Sequence, residues 1–183
     1  MRHLQKRAAA QLACAALVLW LSNGIVHGAT LEGKVVRVAD GDTVTLLDVD
    51  RRQHTIRLSG IDAPERLQPY GQQSRKHLAH GVLGKTVRVE YEKADRYGRL
   101  VGKVMDGERD ANLAQIQAGL AWHYKRYQSE QVSTDRETYD LAEKAARQQR
   151  QGLWHFKEPE APWDYRMRKR AGQPAGVSLA EQG

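Results

Sequence analysis

Two short acidic segments of this sequence each place two carboxylates within four residues. The first is Asp40-Gly41-Asp42-Thr43 and the second is Asp62-Ala63-Pro64-Glu65. Carboxylate oxygens are ligands that hard cations such as Ca²⁺ prefer, and a further carboxylate outside the metal shell can activate water. Taken alone, each segment is better explained as a turn, since Asp, Gly and Pro favour turns for backbone reasons.

Two arginines accompany these segments. Arg57 alternates with Ile56 and Leu58, and Arg99 follows a probable turn over residues 95–98. A guanidinium can hold a phosphate through two hydrogen bonds and neutralise charge that develops on it. A solvated strand face would explain Arg57 by itself. The combination of metal site, carboxylate base and cationic clamp is what phosphodiester hydrolysis needs, so the set is more informative than its members.

The elements that must position these side chains are mostly strands. Period-two alternation of apolar and polar residues predicts strands over 31–38, 43–49, 53–61, 86–92 and 100–104. Three helices are expected: one over 70–80, a second capped by Asp110, and a third opened by a capping box of Thr134 and Glu137 and running to about 150. Five strands with a helix between the third and fourth predict an α+β, mainly β fold, a Greek-key barrel of the OB type.

The spacing of Arg57 and Asp62 conflicts with a regular third strand. They are five residues apart, and residues of opposite parity point to opposite faces of an ideal strand. Glycine often marks a bulge or bend, so we expect an irregularity between Ser59 and Ala63, near Gly60.

The two ends of the chain differ from its middle. Arg2, Lys6 and Arg7 precede an apolar run over 8–21, and small residues follow up to Ala29. This order is typical of a secretory signal peptide over residues 1–29, and it predicts an exported protein, periplasmic or secreted, with no membrane attachment after cleavage. An uncleaved anchor is the alternative, although a span needs about 20 apolar residues. We predict a folded domain over 30–158 and a basic, flexible tail over 159–183.

Composition narrows the partners. The only cysteine, Cys14, lies in the predicted signal peptide, so the exported chain needs no disulfide and has no thiol chemistry. The whole chain has a net charge of +7, and residues 30–183 keep 26 basic against 22 acidic residues, or +4. A positive balance favours polyanions such as nucleic acids without requiring them. Nothing in the sequence implies an obligate protein partner, and a monomer is expected.

Three segments together resemble the signature of the micrococcal (staphylococcal-type) nuclease, or thermonuclease, family. They are Val38-Ala39-Asp40-Gly41-Asp42-Thr43-Val44, Arg57-Leu58-Ser59-Gly60-Ile61-Asp62-Ala63-Pro64-Glu65 and Asp95-Arg96-Tyr97-Gly98-Arg99, in the family's order and spacing. The resemblance covers roughly residues 30–155. It implies a calcium-dependent endonuclease that hydrolyses phosphodiester bonds of DNA or RNA by metal-assisted attack of water.

The same resemblance implies roles for individual residues. Asp42 and Asp62 match calcium ligands, and Ala63 matches a position that offers its backbone carbonyl to the metal. Glu65 matches the general base, and Arg57 and Arg99 match the phosphate-binding arginines. Tyr97 and Tyr127 match tyrosines around the bound nucleotide, although either Tyr124 or Tyr127 could be the one that stacks on a base. Asp40 matches an outer-shell acidic position. The family's best-known member has threonine at the position of Ala63, which should matter little if the ligand is the carbonyl.

Two other classes of function remain open at this point. OB barrels often bind nucleic acid without cutting it, so a non-catalytic binding module is the first alternative. A secreted structural module is the second, and it predicts neither calcium dependence nor a preference for polyanions. Joint presence of Asp42, Arg57, Asp62, Glu65 and Arg99 favours the enzyme, because a pure binder does not need all five. Trp122 and Trp154 are expected to pack in the protein interior.

Overall fold

The fold is organised around one long strand that pairs on both of its edges. In the computed structural model, which describes residues 28–172, β1 (Ala29–Val38) pairs antiparallel with β2 (Thr43–Leu47) and with β5 (Thr86–Ala94). β2 pairs with β3 (Gln53–Leu58), and β5 pairs with β6 (Leu100–Asp106). β6 then returns to β3 in a parallel pairing, so the five strands close into a barrel. The predicted OB-type barrel is confirmed.

Alternation along these strands fills the barrel interior. Val35, Val44, Ile56, Val89 and Val104 are each completely buried at the centre of the main core. Burying side chains of this kind contributes about 1.5–3 kcal/mol each. β1 and β5 each carry an irregularity, at 35–37 and 91–93, where the register of the pairing shifts. Such bulges increase strand twist, which a closed barrel requires.

Within the described residues, four α-helices surround the barrel. They are α1 (Gly71–Val82), α2 (Ala111–Gln117), α3 (Ser133–Gln148) and α4 (Pro162–Arg170). Short 3₁₀ helices cover Lys125–Glu130 and Gly152–His155. The prediction of an Asp110 cap is confirmed, because its side chain accepts a hydrogen bond from the backbone N–H of Leu113. A two-residue strand, β7 (Arg109–Asp110), pairs with β6 at the edge of the sheet and precedes α2.

The predicted irregularity after β3 is also confirmed. β3 ends at Leu58, and Gly60 takes a positive φ of 71°, which a glycine adopts without the cost that a side chain would add. The chain then forms a separate short strand, β4 (Ile61–Asp62), which pairs with β8 (Trp122–His123). Asp62 therefore leaves the parity of β3 and can point toward the same side as Arg57.

Two predictions about the helices were wrong. The third helix does not begin with a Thr134 capping box: Val132 is the residue before its first turn, and no side chain caps it. Because the chain enters the helix before Thr134, that residue is helical and its carbonyl accepts from the Thr138 hydroxyl at 2.7 Å. The C-terminal segment is also not a flexible tail throughout, since α4 occupies Pro162–Arg170.

The second, smaller core lies beside α3. Ala146, Leu153 and Trp154 are buried there, with Tyr70 and Trp122 packed against them. The expectation that Trp122 and Trp154 serve packing is confirmed. The predicted signal peptide, including Cys14, lies outside the described residues apart from its last two positions. Among the helices of residues 28–172, none is both long and apolar enough to cross a membrane.

Candidate active site

The Asp40-Gly41-Asp42 turn joins β1 to β2 and is shaped by its own side chains. The backbone N–H of Asp42 donates to Oδ1 of Asp40 at 3.1 Å, and the N–H of Ala39 donates to the carbonyl of Thr43 at 2.9 Å. Gly41 is required by space, since a Cβ there would lie 2.7 Å from the Cβ of Ala63. The turn therefore presses directly against the second acidic segment.

Two buried polar side chains hold this turn from the helical side. Gln115 of α2 donates from Nε2 to the carbonyl of Gly41 at 2.7 Å and to Oγ of Ser74 at 3.0 Å. Ser74 of α1 in turn donates to the carbonyl of Leu120 at 2.7 Å. Both side chains are completely buried. A buried network of this kind is rigid when each of its members is satisfied, so it fixes the turn in one position.

Arg57 joins the two acidic segments. Its Nη1 lies 2.9 Å from Oδ2 of Asp42, and its Nη2 lies 2.9 Å from Oδ1 of Asp62. The same Oδ2 of Asp42 accepts from the backbone N–H of Ala63 at 2.7 Å. The side chain of Arg57 is 15% exposed, and those of Asp42 and Asp62 are 8% and 1% exposed. Four of the predicted residues thus form one buried, hydrogen-bonded cluster.

The electrostatics of this cluster show an excess of negative charge. Burial, together with the neighbouring charge of Asp42, raises the pKa of Asp40 from 3.8 to about 7. Burial also raises the pKa of Asp62, although the hydrogen bond from Arg166 and the charge of Arg57 act in the opposite direction. A positive charge nearby stabilises the ionised form of a buried carboxylate, so both carboxylates favour a cation as a neighbour.

Glu65 lies next to this cluster in a loop that is tied at several points. Its backbone N–H donates to Oε1 of Gln68 at 2.8 Å, and the Gln68 amide donates to the carbonyl of Glu160 at 3.2 Å. Its carboxylate pairs with Arg166 of α4 at 2.9 Å, and the same guanidinium binds Asp62 at 2.7 Å. The Glu65 side chain is 38% exposed, so water reaches it.

Arg99 lines the same cleft and forms its ion pair with Asp95 rather than with these carboxylates. It follows the turn between β5 and β6, where its Nη2 pairs with Asp95 at 2.7 Å and its Nε donates to the same oxygen at 2.8 Å. Tyr97 at the tip of this turn is 66% exposed. Its ring lies under the guanidiniums of Arg96 and Arg99, at 4.8 and 5.5 Å from the ring centroid.

Tyr127 lies on the opposite rim, in the 3₁₀ helix that follows β8. It is 45% exposed, and its ring contacts Tyr124 edge to face at 5.3 Å. All eight residues predicted for the site, Asp42, Arg57, Asp62, Ala63, Glu65, Tyr97, Arg99 and Tyr127, line one open cleft of about 1820 Å³. The structure brings the first five into one contact network and leaves the other three at the rim.

Sequence comparisons place the chain among known proteins. The profile of the family described as staphylococcal nuclease homologue matches residues 55–156. The chain belongs to this family. An uncharacterized endonuclease of Escherichia coli O157:H7 is 42% identical over 155 residues, which are 84% of this chain and 96% of that protein. A micrococcal nuclease of Shigella flexneri is 38% identical over 168 residues, 87% of this chain and 92% of that protein.

In this staphylococcal nuclease homologue, the donors around Asp42 and Asp62 are suited to a hard cation. Their carboxylates, with the Ala63 carbonyl, are oxygen ligands of the kind that Ca²⁺ prefers, and water completes its shell in such sites. Residues 28–172 contain no group of three or more His, Cys, Asp or Glu side chains arranged to hold a metal ion.

Sequence reasoning missed the role of Arg166 in the site of this nuclease homologue. It lies 104 residues from Asp62 in the chain, and only the fold brings the two together. The helix that carries it did have a signal, because Pro162 stands at its first position and Asp164 lies in its first turn. Basic residues in the last turn complete that signal. The helix could have been predicted from these residues, but its contact with Glu65 could not.

Proposed function

We propose that this protein is an exported, calcium-dependent endonuclease that hydrolyses phosphodiester bonds of DNA or RNA. The observation that carries the proposal is the cluster in which Arg57 contacts both Asp42 and Asp62, with Glu65 beside it in the same cleft. Two relatives, one named an endonuclease and the other a micrococcal nuclease, support the same activity. A protein that only binds nucleic acid does not need a general base next to buried acidic residues.

The calcium ion would be held by the carboxylates of Asp42 and Asp62 and by the backbone carbonyl of Ala63. Raised pKa values of Asp40 and Asp62 support this assignment, because burial disfavours the charged form of both carboxylates and a bound cation would offset that penalty. When bound, such an ion supplies Lewis acidity toward a phosphate oxygen. Asp40, behind the turn, would act from the outer shell.

The remaining chemistry belongs to three side chains. Glu65, which water reaches, would accept a proton from the water molecule that attacks phosphorus. Arg57 and Arg99 would both bind the phosphate, and they would stabilise the additional negative charge that develops when phosphorus becomes five-coordinate. Arg99, which follows the turn between β5 and β6, would stabilise the charge on the leaving oxygen. A preorganised charge stabiliser of this kind is worth about 10²–10³ in rate.

Substrate binding would extend from the phosphate to the rim of the cleft. The exposed rings of Tyr97 and Tyr127 offer surfaces for the sugar and base, and aromatic stacking suits single strands because every base has a π-face. The net charge of residues 30–183, +4, favours a polyanion. We further propose that the protein acts as a monomer after removal of residues 1–29, in the periplasm or outside the cell.

Digestion of plasmid and single-stranded DNA by the purified protein tests the proposal. Reactions with calcium, with magnesium and with chelator would be run beside the Glu65→Gln variant. We expect cleavage with calcium alone and a loss of cleavage in the variant. Folded wild-type protein that binds DNA in a salt-sensitive manner but never cuts it would refute the enzyme and favour a binding module.

A further inference from the structure

Helix α4 forms a wall of the cleft that contains the proposed active site. Four of its residues, Trp163, Arg166, Met167 and Arg170, line the cleft. Their spacing of three and four positions places them on one face of the helix. Lys169 of the same helix does not line the cleft. One face of α4 is therefore directed toward the proposed reaction site.

Packing fixes this helix at its beginning. The ring of Trp163 stacks on Tyr124 at 5.3 Å, with an interplanar angle of 21°, and meets Trp122 edge to face at 5.4 Å. Before the helix, the carbonyl of Glu160 accepts from the amide of Gln68, which also caps the backbone of the Glu65 loop. α4 and that loop are thus held against each other by contacts that do not involve Arg166.

Arg166 uses this fixed position to join two carboxylates. Its Nη2 donates to Oδ2 of Asp62 at 2.7 Å, and its Nη1 donates both to Oδ1 of Asp62 at 3.2 Å and to Oε1 of Glu65 at 2.9 Å. Among residues 28–172, Arg166 is the only residue that forms an ion pair with Glu65. Without it, Glu65 would lie beside the negative charge of Asp62 and rotate away, since carboxylates repel each other at short range.

We propose that Arg166 is a positioning residue that holds the Glu65 carboxylate beside Asp62, in the orientation from which it acts on water. This inference rests on the proposed nuclease function. Arginine suits the task because its planar fork can bind two carboxylates at once in a fixed geometry, whereas lysine offers a single point charge. Misplacing a reacting group by about 1 Å can cost about 10²-fold in rate.

Steady-state kinetics of the purified protein on a fluorescent single-stranded oligonucleotide, with calcium, test this role. The variants are Arg166→Met, Arg166→Lys and Glu65→Gln, with Lys169→Met as a control that removes the same charge from the same helix. We expect Arg166→Met to lower kcat about 10²-fold with KM changed less than about threefold. Arg166→Lys should recover part of the loss, and Lys169→Met should behave as wild type.

A double-mutant cycle shows whether Arg166 acts through Glu65. If it does, Arg166→Met should lower kcat by no more than about threefold in the Glu65→Gln background. An independent loss of about 10²-fold in that background would overturn the proposal. If Arg166→Met is unfolded by circular dichroism, the same cycle with Arg166→Lys decides the question by the same criterion.

Calcium affinity separates this role from an effect on the metal ligands. Arg166 competes with a cation for Asp62, so isothermal titration should show that Arg166→Met binds calcium at least as tightly as wild type. Clearly weaker binding would assign the loss to Asp62 and overturn the proposal. Cleavage by wild type with an unaffected Arg166→Met variant would refute this inference alone. A folded wild type that cleaves nothing would refute the proposed function and this inference with it.

Discussion

Arg57 and Arg99 line the same cleft, but their surroundings differ. We call the Asp42–Asp62 cluster around Arg57 the inner side, and the turn over residues 95–99 the outer side. Arg57 is 15% exposed and is bound to both Asp42 and Asp62. Arg99 is 32% exposed and is bound to Asp95, which belongs to its own turn. One arginine is thus part of the acidic cluster, and the other is held apart from it by a local partner. Their contributions to folding and to substrate binding should therefore differ.

The carboxylates on the two sides differ in the same way. Burial raises the pKa of Asp62 despite two neighbouring arginines. Burial would also raise the pKa of Asp95, but hydrogen bonds from Arg99 and from the backbone of Tyr97 lower it instead. Burial thus disfavours the charged form of Asp62 on the inner side, whereas hydrogen bonds favour the charged form of Asp95 on the outer side. Under the proposed function, a metal ion would bind on the inner side, and Arg99 would exchange its ion pair with Asp95 for a phosphate.

The largest effect is expected for Arg57→Met. It should lower kcat by about 10²–10³, because it removes a preorganised charge stabiliser. It should also lower the free energy of unfolding by about 3 kcal/mol, the low end for breaking a buried pair, since Arg166 remains on Asp62. Cleavage kinetics and urea unfolding in chelator measure the two effects. A folded variant with near-normal turnover would refute the assignment of Arg57.

Arg99→Met should separate activity from stability. We expect a comparable loss of about 10²–10³ in kcat, but a change of less than about 1 kcal/mol in the free energy of unfolding, because the partly exposed pair with Asp95 contributes little. The same two assays apply, with Arg96→Met as a control in the same turn. A stability loss equal to that of Arg57→Met would remove the contrast between the two sides.

The inner side of the site was predictable because its signals are local. Asp-Gly-Asp predicted a turn, and the parity conflict between Arg57 and Asp62 predicted the bend at Gly60, where φ is 71°. The roles expected of the acidic residues came from the family resemblance. Barrel strands were predictable for the same reason, since alternation is a local property. The long pairings of β1 with both neighbours, and the return of β6 to β3, depend on the closed sheet and cannot be read from any one segment.

Contacts that arrive from distant parts of the chain were not predictable. Arg166 reaches Glu65 across 101 residues, and Gln115 reaches Gly41 across 74. Each looks, in sequence, like an ordinary polar residue of a helix. Their roles depend on which helix face meets the barrel, and that is set by packing such as the Trp163–Tyr124 stack. Which carboxylates an arginine contacts depends on the tertiary structure, even where the arginine itself stands out in the sequence.

A pH effect on stability is expected from Asp40. Its pKa is about 7 in the folded protein and 3.8 ordinarily, so the folded state binds its proton more tightly. The stabilisation is fully present below pH 3.8 and is lost as the pH rises through 7. In chelator, Asp40→Asn should therefore lose less stability than wild type between pH 5 and pH 8. The urea midpoint at each pH measures this, with Asp50→Asn, a change at an exposed residue, as control. An equal change of the midpoint with pH in wild type and Asp40→Asn would contradict the prediction.

The smallest effect is expected for Asp95→Asn, which tests whether Arg99 must leave a partner when substrate binds. Asparagine keeps the oxygen that accepts from the backbone N–H groups of Tyr97 and Arg99, so the turn should persist. It removes the charge that holds the guanidinium, and a partly exposed pair of this kind is worth up to about 1 kcal/mol. We therefore expect KM to fall about twofold to fivefold at low salt, with kcat unchanged and the difference shrinking at high salt. A rise in KM would mean that Asp95 aims Arg99 at the phosphate, and the outer side would then be as preorganised as the inner one.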